Sequence, residues 1–359
     1  MTRKRLLLLV IIVAVLAALI YLQVREWRHF EWKKFIEGSE GINWWRVLVG
    51  VALIYIADLM RAIRWAIFLR PTRPNVQWRS LIAPQYIGFT GLALLGRPGE
   101  FVRPYLIARR ANRTLASQVA LWFVERACDT GAVTLIVCAD IFGVPYIREN
   151  YPPWRAGGYV LLGLFCGFVT LLWALYKRGP LIAAWVCRRL NPLSPSIAAS
   201  VEKKLRTMAA GLHAIKDRRS FLQVAVISLA MWLIIAFAYR SVTHAYPLET
   251  GLPSLNLPEV VLLMAASIVG GVIQLPVVGG GSQLATIGVL LADAPKGFSF
   301  KPELAVSCGM LLWLVTFMSV VPLGLALAHF EHVSLRELSA ESEAEVESDK
   351  AASPSLPIP

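Results

Sequence analysis

The sequence predicts an all-α integral membrane protein: a polytopic helix bundle with about six full spans and two oppositely oriented, re-entrant, Gly/Pro-broken helical hairpins. Three observations lead there. The 359-residue chain is 57% hydrophobic and only 16% charged, with a mean hydropathy of +0.58, too apolar for the surface of a soluble domain. Several apolar runs approach the ~20 residues that a crossing helix needs. Two further apolar regions are interrupted halfway by Gly and Pro. The net charge of +13 does not point to nucleic acid, because Lys and Arg gather at the ends of apolar runs, as cytoplasmic loops require.

The elements follow in chain order. MTRKR precedes LLLLVIIVAVLAALIYL at residues 6–22. This has the layout of a secretory signal, but no small-x-small site precedes Tyr21, so an uncleaved first span is expected. REWRHFEWKKFIEG interleaves charge with Trp and Phe and suits an interfacial helix. Spans are then expected at 47–69, 115–139, 158–176, 220–240 and 303–329. The first broken region, 80–110, is joined at Gly96-Arg97-Pro98-Gly99, and the second, 257–293, at Pro276 to Gly281. Residues 1–330 are read as one transmembrane domain. Residues 331–359, acidic with Ser and Pro and few aromatics, read as a disordered cytoplasmic tail.

Placing MTRKR in the cytoplasm puts Arg70, Arg73, Arg79, Arg109, Arg110, Arg113 and the ten Lys or Arg between Lys177 and Arg219 on that side. The expected location is a plasma (inner) membrane with both termini cytoplasmic. Each broken region then enters and leaves on one face, the first from the cytoplasm and the second from outside. Irregular backbone at membrane depth is tolerated where it is buried in protein or lines a wet cavity. Paired broken segments from opposite faces point to a transporter-like site near the midplane. The alternative is eight or more ordinary spans, some kinked.

Charge inside the spans supplies the candidate site. Asp58, Arg61 and Arg64 recur every third residue, with Asp58 and Arg61 able to pair. Glu125 and Asp129 are i,i+4 neighbours with Arg126 beside them. An ionisable residue inside a span costs at least ~2.5 kcal/mol, so these six must face protein or water. They either lock helices together or line a polar path. Gly96-Arg97-Pro98-Gly99-Glu100 reads as a turn opening a half-helix, with Glu100 in its first turn and Arg103 on the same face. Exposed N–H groups with Arg97 and Arg103 suit a phosphate.

These residues carry a resemblance. LLGRPGEFVRPYLIARR followed by VALWFVERACDTGAV resembles the paired signature of the lysylphosphatidylglycerol synthase transmembrane-region family, described as flippase-like membrane proteins. Gly99, Glu100 and Arg103 match its Gly-Glu-x-x-Arg segment, and Glu125, Arg126 and Asp129 match its acidic-Arg-x-x-Asp pattern. The resemblance covers roughly 5–330. It departs in the second broken segment, where the family's Arg-Glu after Gly-x-Gly is replaced by Gly279-Gly-Gly-Ser-Gln283. Gln283 remains a hydrogen-bonding candidate for a headgroup. With no large soluble domain after residue 330, the resemblance implies lipid handling rather than lipid aminoacylation.

Other residues fit blander roles. The five cysteines have no metal or redox spacing and read as small buried side chains. The twelve Trp suit aromatic belts. His213 reads as surface, His329 and His332 as interfacial, and His244 with Glu249 as an outer loop that either gates the second hairpin or merely connects. No Walker A, zincin, GxSxG or dinucleotide pattern appears, so neither an enzyme nor a cofactor is expected. The leading expectation is a transporter moving a phospholipid or lipid-linked anion between leaflets. The candidate site is Arg97, Gly99, Glu100, Arg103, Glu125, Arg126, Asp129, Arg61, Arg64 and Gln283. The rivals are a small-solute transporter and a non-transporting partner of an envelope or lipid-synthesis enzyme.

Overall fold

The computed structural model describes residues 32–71, 73, 76–191, 201–202, 218–272 and 280–331. The expected first span, Pro276 to Gly279 of the second joint, His213, His332 and the tail beyond Glu331 lie outside these residues. Among the described residues every regular element is helical. The helices are α1 (Trp32–Gly38), α2 (Trp44–Leu69), α3 (Ile82–Leu95), α4 (Val102–Ala111), α5 (Leu115–Gly143), α6 (Pro145–Asn150) and α7 (Trp154–Leu190). They continue with α8 (Arg218–Thr243), α9 (Leu257–Gly270), α10 (Gly281–Leu291), α11 (Pro302–Trp313) and α12 (Val321–Phe330), the last two joined through a π turn, Leu314–Met318.

Local sequence sets the starts. Asn43 caps α2 by accepting from the Trp45 amide, and Thr114 caps α5 by accepting from Ser117. Asn256 and Glu259 form a reciprocal capping box on α9. Each cap satisfies an amide that the first turn leaves without a partner.

Long helices occupy the five expected spans that fall in described residues: α2, α5, α7, α8 and the α11–α12 run. Trp154–Leu171 of α7, all of α8 and Pro302–Phe330 are long and apolar enough to cross a membrane by length and composition. α2 and α5 are as long but carry the ionisable residues. Of the Trp154–Leu171 window of α7, 6% is buried among the described residues, an exposure of apolar side chains that lipid would cover. Cys166, expected to be buried, is exposed on this helix. α7 also runs past its expected end, kinking at Arg178 (φ −127°, ψ 22°) two residues before Pro180, which has no amide hydrogen for the helix ladder.

In each broken region two half-length helices pack on each other. α3 and α4 lie antiparallel across Gly96, whose φ of 66° and ψ of −146° suit glycine alone, and a 3₁₀ turn, Arg97–Phe101. A Cβ on Gly99 would fall on the Gly91 carbonyl oxygen, so glycine at position 99 is what lets these two backbones touch. In the second hairpin a Cβ on Gly270 would fall on the Gly281 carbonyl oxygen. The Ser267 and Ser282 hydroxyls share a 2.6 Å hydrogen bond there.

Contacts at the two ends of the bundle fix its polarity. The Asn43 amide donates to the Ala245 carbonyl at 2.8 Å and Arg70 donates to Gln223 at 3.0 Å, so α2 and α8 are antiparallel. At the Arg70 end, Leu69, Leu81, Ile107, Ala111, Leu121 and Val224 bury one another, bringing in both open ends of the first hairpin. At the other end, Tyr146 and Tyr151 donate to Glu259 at 3.0 and 2.8 Å. There α1 packs on α11 through Gly38 and a 2.8 Å Ser39–Ser307 hydrogen bond. Glu259, in the first turn of α9, thus lies at this end, and Leu81 and Ala111, which flank the first broken region, at the Arg70 end.

Candidate functional site

The ionisable residues of α2, α4 and α5 meet where the first hairpin reaches into the bundle. Taking 1.5 Å per helical residue, Arg64 lies ~8 Å from the end of α2 and Glu125 ~15 Å from the start of α5. Arg64 donates through Nη1 to Asp129 Oδ1 at 2.6 Å and to Ser228 Oγ at 2.7 Å, and through Nη2 to Glu125 Oε1 at 2.7 Å. Arg103 grips the same carboxylate as a fork: Nη1 donates to Oε1 at 3.1 Å and Nη2 to Oε2. Its Nη1 also lies 3.4 Å from Gln85 Oε1.

The four ionised side chains are 0–4% exposed, and two cations balance two anions. Burying them costs several kcal/mol each, and only this degree of mutual hydrogen bonding offsets the loss of water. Aromatic faces complete the cage. The Arg103 guanidinium lies 5.4 Å from the ring centres of both Trp65 and Phe89, a cation–π arrangement.

The remaining candidates divide clearly. Asp58 and Arg61 form their own pair at 2.6 Å, as the i,i+3 spacing predicts, with Arg61 4.9 Å over Phe89. Arg126 is the cation that reaches the surface: its side chain is 35% exposed, stands 3.9 Å from Asp129 Oδ2 and stacks 5.7 Å from Trp122. Glu100 lies half-buried in the 3₁₀ turn, and Gly99 serves hairpin closure. The Arg97 side chain lies outside the described atoms. Gln283 belongs to the second broken region, where its Nε2 meets Met310 Sδ at 3.4 Å and its buried Oε1 has no hydrogen-bond donor among the described residues.

A crevice lined by Gly88, Phe89, Leu92, Glu100, Arg103, Trp122 and Arg126 joins the surface cation to the buried fork. Its free volume is about 10 Å³, against roughly 300 Å³ or more for a typical ligand pocket. The arrangement is closed, with room for no more than about one water.

Gln85, Ser228, Trp65 and Trp232 belong to the site but were not singled out from sequence. Trp232 Nε1 points at Asp129 Oδ1 at 3.4 Å, and Trp65 is fully buried rather than part of an interfacial belt. A polar Gln in the middle of an apolar half-helix was the one available signal. Among the described residues no group of three or more His, Cys, Asp or Glu is placed to hold a metal. At the far end, burial followed by Arg240 and Arg46 pushes the His244 pKa down. Burial and then the bond to Glu259 push the Tyr151 hydroxyl up.

The two motifs that carried the resemblance thus touch: Arg103 of the first holds Glu125 of the second. A family model described as the lysylphosphatidylglycerol synthase TM region matches residues 6–330. The chain belongs to this family. No curated protein and no solved structure matches it. As a lysylphosphatidylglycerol synthase TM region member it is a membrane protein of a lipid-related family, and the matched segment includes both hairpins and the whole buried charge cluster.

Proposed function

We propose that the chain is a non-enzymatic lipid transporter that passes an anionic phospholipid or lipid-linked anion between leaflets, with the first hairpin as its moving part. It sits in a plasma (inner) membrane with the Arg70 end of the bundle cytoplasmic, and both hairpins are re-entrant. The observation that carries this reading is the Arg103–Glu125 fork buried beneath a crevice whose rim is Glu100, Trp122 and Arg126. A carboxylate on Arg103 occupies the place of a headgroup phosphate, since both present oxygens to the same planar donor fork. Shifting the hairpin would let the phosphate replace Glu125 on Arg103, while Glu125 stays paired with Arg64. Net charge in the cavity then changes only with the ligand, which keeps the exchange affordable in low dielectric.

The rim pair gives the cleaner test, because removing Arg103 would strand Glu125. Purified chain in liposomes holding a fluorescent anionic phospholipid should expose the inner-leaflet pool to an external quencher. The Glu100→Gln/Arg126→Gln variant should slow that exposure at least tenfold while remaining folded. A folded variant that moves lipid like the wild type removes these residues from the path. Wild-type chain no faster than empty vesicles rules out unassisted transport.

A further inference from the structure

A second cavity lies on the opposite side of α2. Ile63 of α2 and Arg70, the residue just past its end, lie seven residues apart on one side, while the intervening Arg64 faces the buried cluster. The 3₁₀ turn Trp78–Leu81, with Val76 and Gln77 just before it, folds against this side. Between them is a cavity of about 320 Å³ whose apolar wall includes Ile63, Val76 and Trp78 and whose rim carries Arg70, Gln77 and Arg79. This volume falls in the range of small-ligand sites, roughly 300–1,000 Å³.

The chemistry of the rim selects a ligand. No Asp or Glu occurs between Asp58 and Glu100, so this stretch supplies cations only, all of them Arg. Among the described residues neither Arg70 nor Arg79 makes an ion pair. Arg70 donates to the neutral Gln223 at 3.0 Å, and the Arg79 guanidinium rests 5.6 Å from the Trp78 ring centre. Both are exposed and keep donors for an anion. Arg109, Arg110, Arg113, Arg218 and Arg219 border the same end of the bundle, which raises the local concentration of anionic amphiphiles. A planar donor fork suits a phosphate, an aromatic ring suits the headgroup boundary, and an aliphatic wall suits the start of an acyl chain. Basic pockets between helices at a cytoplasmic interface take lipid headgroups in this way.

We propose that the cavity between α2 and the Trp78–Leu81 turn binds the phosphodiester headgroup of an anionic glycerophospholipid, at a site separate from the buried charge cluster. The site holds lipid at the interface whether or not the cluster transports, so binding and not translocation is its readout.

The full chain, delipidated in detergent, is titrated with dioleoylphosphatidylglycerol, and bound lipids are counted by native mass spectrometry. Wild type should retain one more tightly bound phosphatidylglycerol than Arg70→Gln/Arg79→Gln, with at least tenfold weaker binding in the variant and no difference for dioleoylphosphatidylcholine. Gln77→Glu, which adds negative charge at the exposed rim and removes no contact of the fold, should weaken binding in the same direction. Equal phosphatidylglycerol binding by wild type and both variants overturns the site. Equal loss of phosphatidylcholine overturns the charge selection. Displacement of the bound lipid by inorganic phosphate at matching concentration shows a phosphate site without a lipid component, which also overturns the proposal.

Discussion

At the residue scale the central fact is that Glu125 serves two arginines. Its Oε1 accepts from Arg64 and Arg103 and its Oε2 from Arg103. Glu125→Gln removes the shared charge and leaves two buried guanidiniums with Asp129 as the remaining carboxylate of the quartet. Breaking a buried pair from one side costs about 3–5 kcal/mol, so this isosteric change should lower unfolding free energy in detergent by that order. Arg126→Gln removes a partly exposed charge whose nearest carboxylate oxygen is 3.9 Å away, and should cost less than about 1 kcal/mol. Denaturant titrations of the two variants check the contrast. Equal losses would mean that the quartet is not the lock its geometry describes.

At the element scale, the hairpins depend on glycine where backbone meets backbone. Gly99 and Gly91 touch through main-chain atoms that cannot rotate away, so Gly99→Ala should overpack the joint and cost about 1–3 kcal/mol. Gly163 on α7 has nothing within 4 Å of an added Cβ, and Gly163→Ala should be neutral or gain up to about 1 kcal/mol through helix propensity. Thermal unfolding of both variants in one detergent measures the difference. This scale also shows what sequence could convey. The breaks at Gly96 and Gly281 were legible because Gly and Pro interrupt apolar runs at half length. The charge cluster was legible because ionised residues inside spans demand partners. The assignment of partners was not, since Arg64 and Glu125 lie 61 residues apart and meet only because α2 and α5 both pack against α8. Nor did composition reveal that α7 continues past Lys177, because a Lys-Arg-Gly-Pro run reads as a loop until neighbouring helices define the surface.

At the scale of the whole molecule, the decisive feature is the opposition of the two hairpins. Leu81 and Ala111 share a buried cluster with Leu69 and Val224 at one end, whereas Glu259 joins Tyr146 and Tyr151 at the other. A re-entrant pair must therefore show both ends of each hairpin on a single membrane face, and the two hairpins on different faces. A single full crossing at each break would place its two flanks on opposite faces instead. The described cysteines Cys128, Cys138, Cys166, Cys187 and Cys308 are free and can be replaced to give a silent background. On that background, Arg73→Cys and Arg113→Cys flank the first hairpin, and Ser254→Cys and Lys296→Cys flank the second, all at exposed positions. A membrane-impermeant maleimide applied to intact cells should label Ser254→Cys and Lys296→Cys at once, and Arg73→Cys with Arg113→Cys only after permeabilisation. The basic flank of the first pair and the lysine-poor outer loops set that direction. Labelling of Arg73→Cys and Arg113→Cys from opposite faces would turn the first break into a crossing. It would remove the re-entrant joint on which the transport reading depends, because a hairpin that crosses cannot withdraw Arg103 from Glu125 without dragging a whole span through the bilayer.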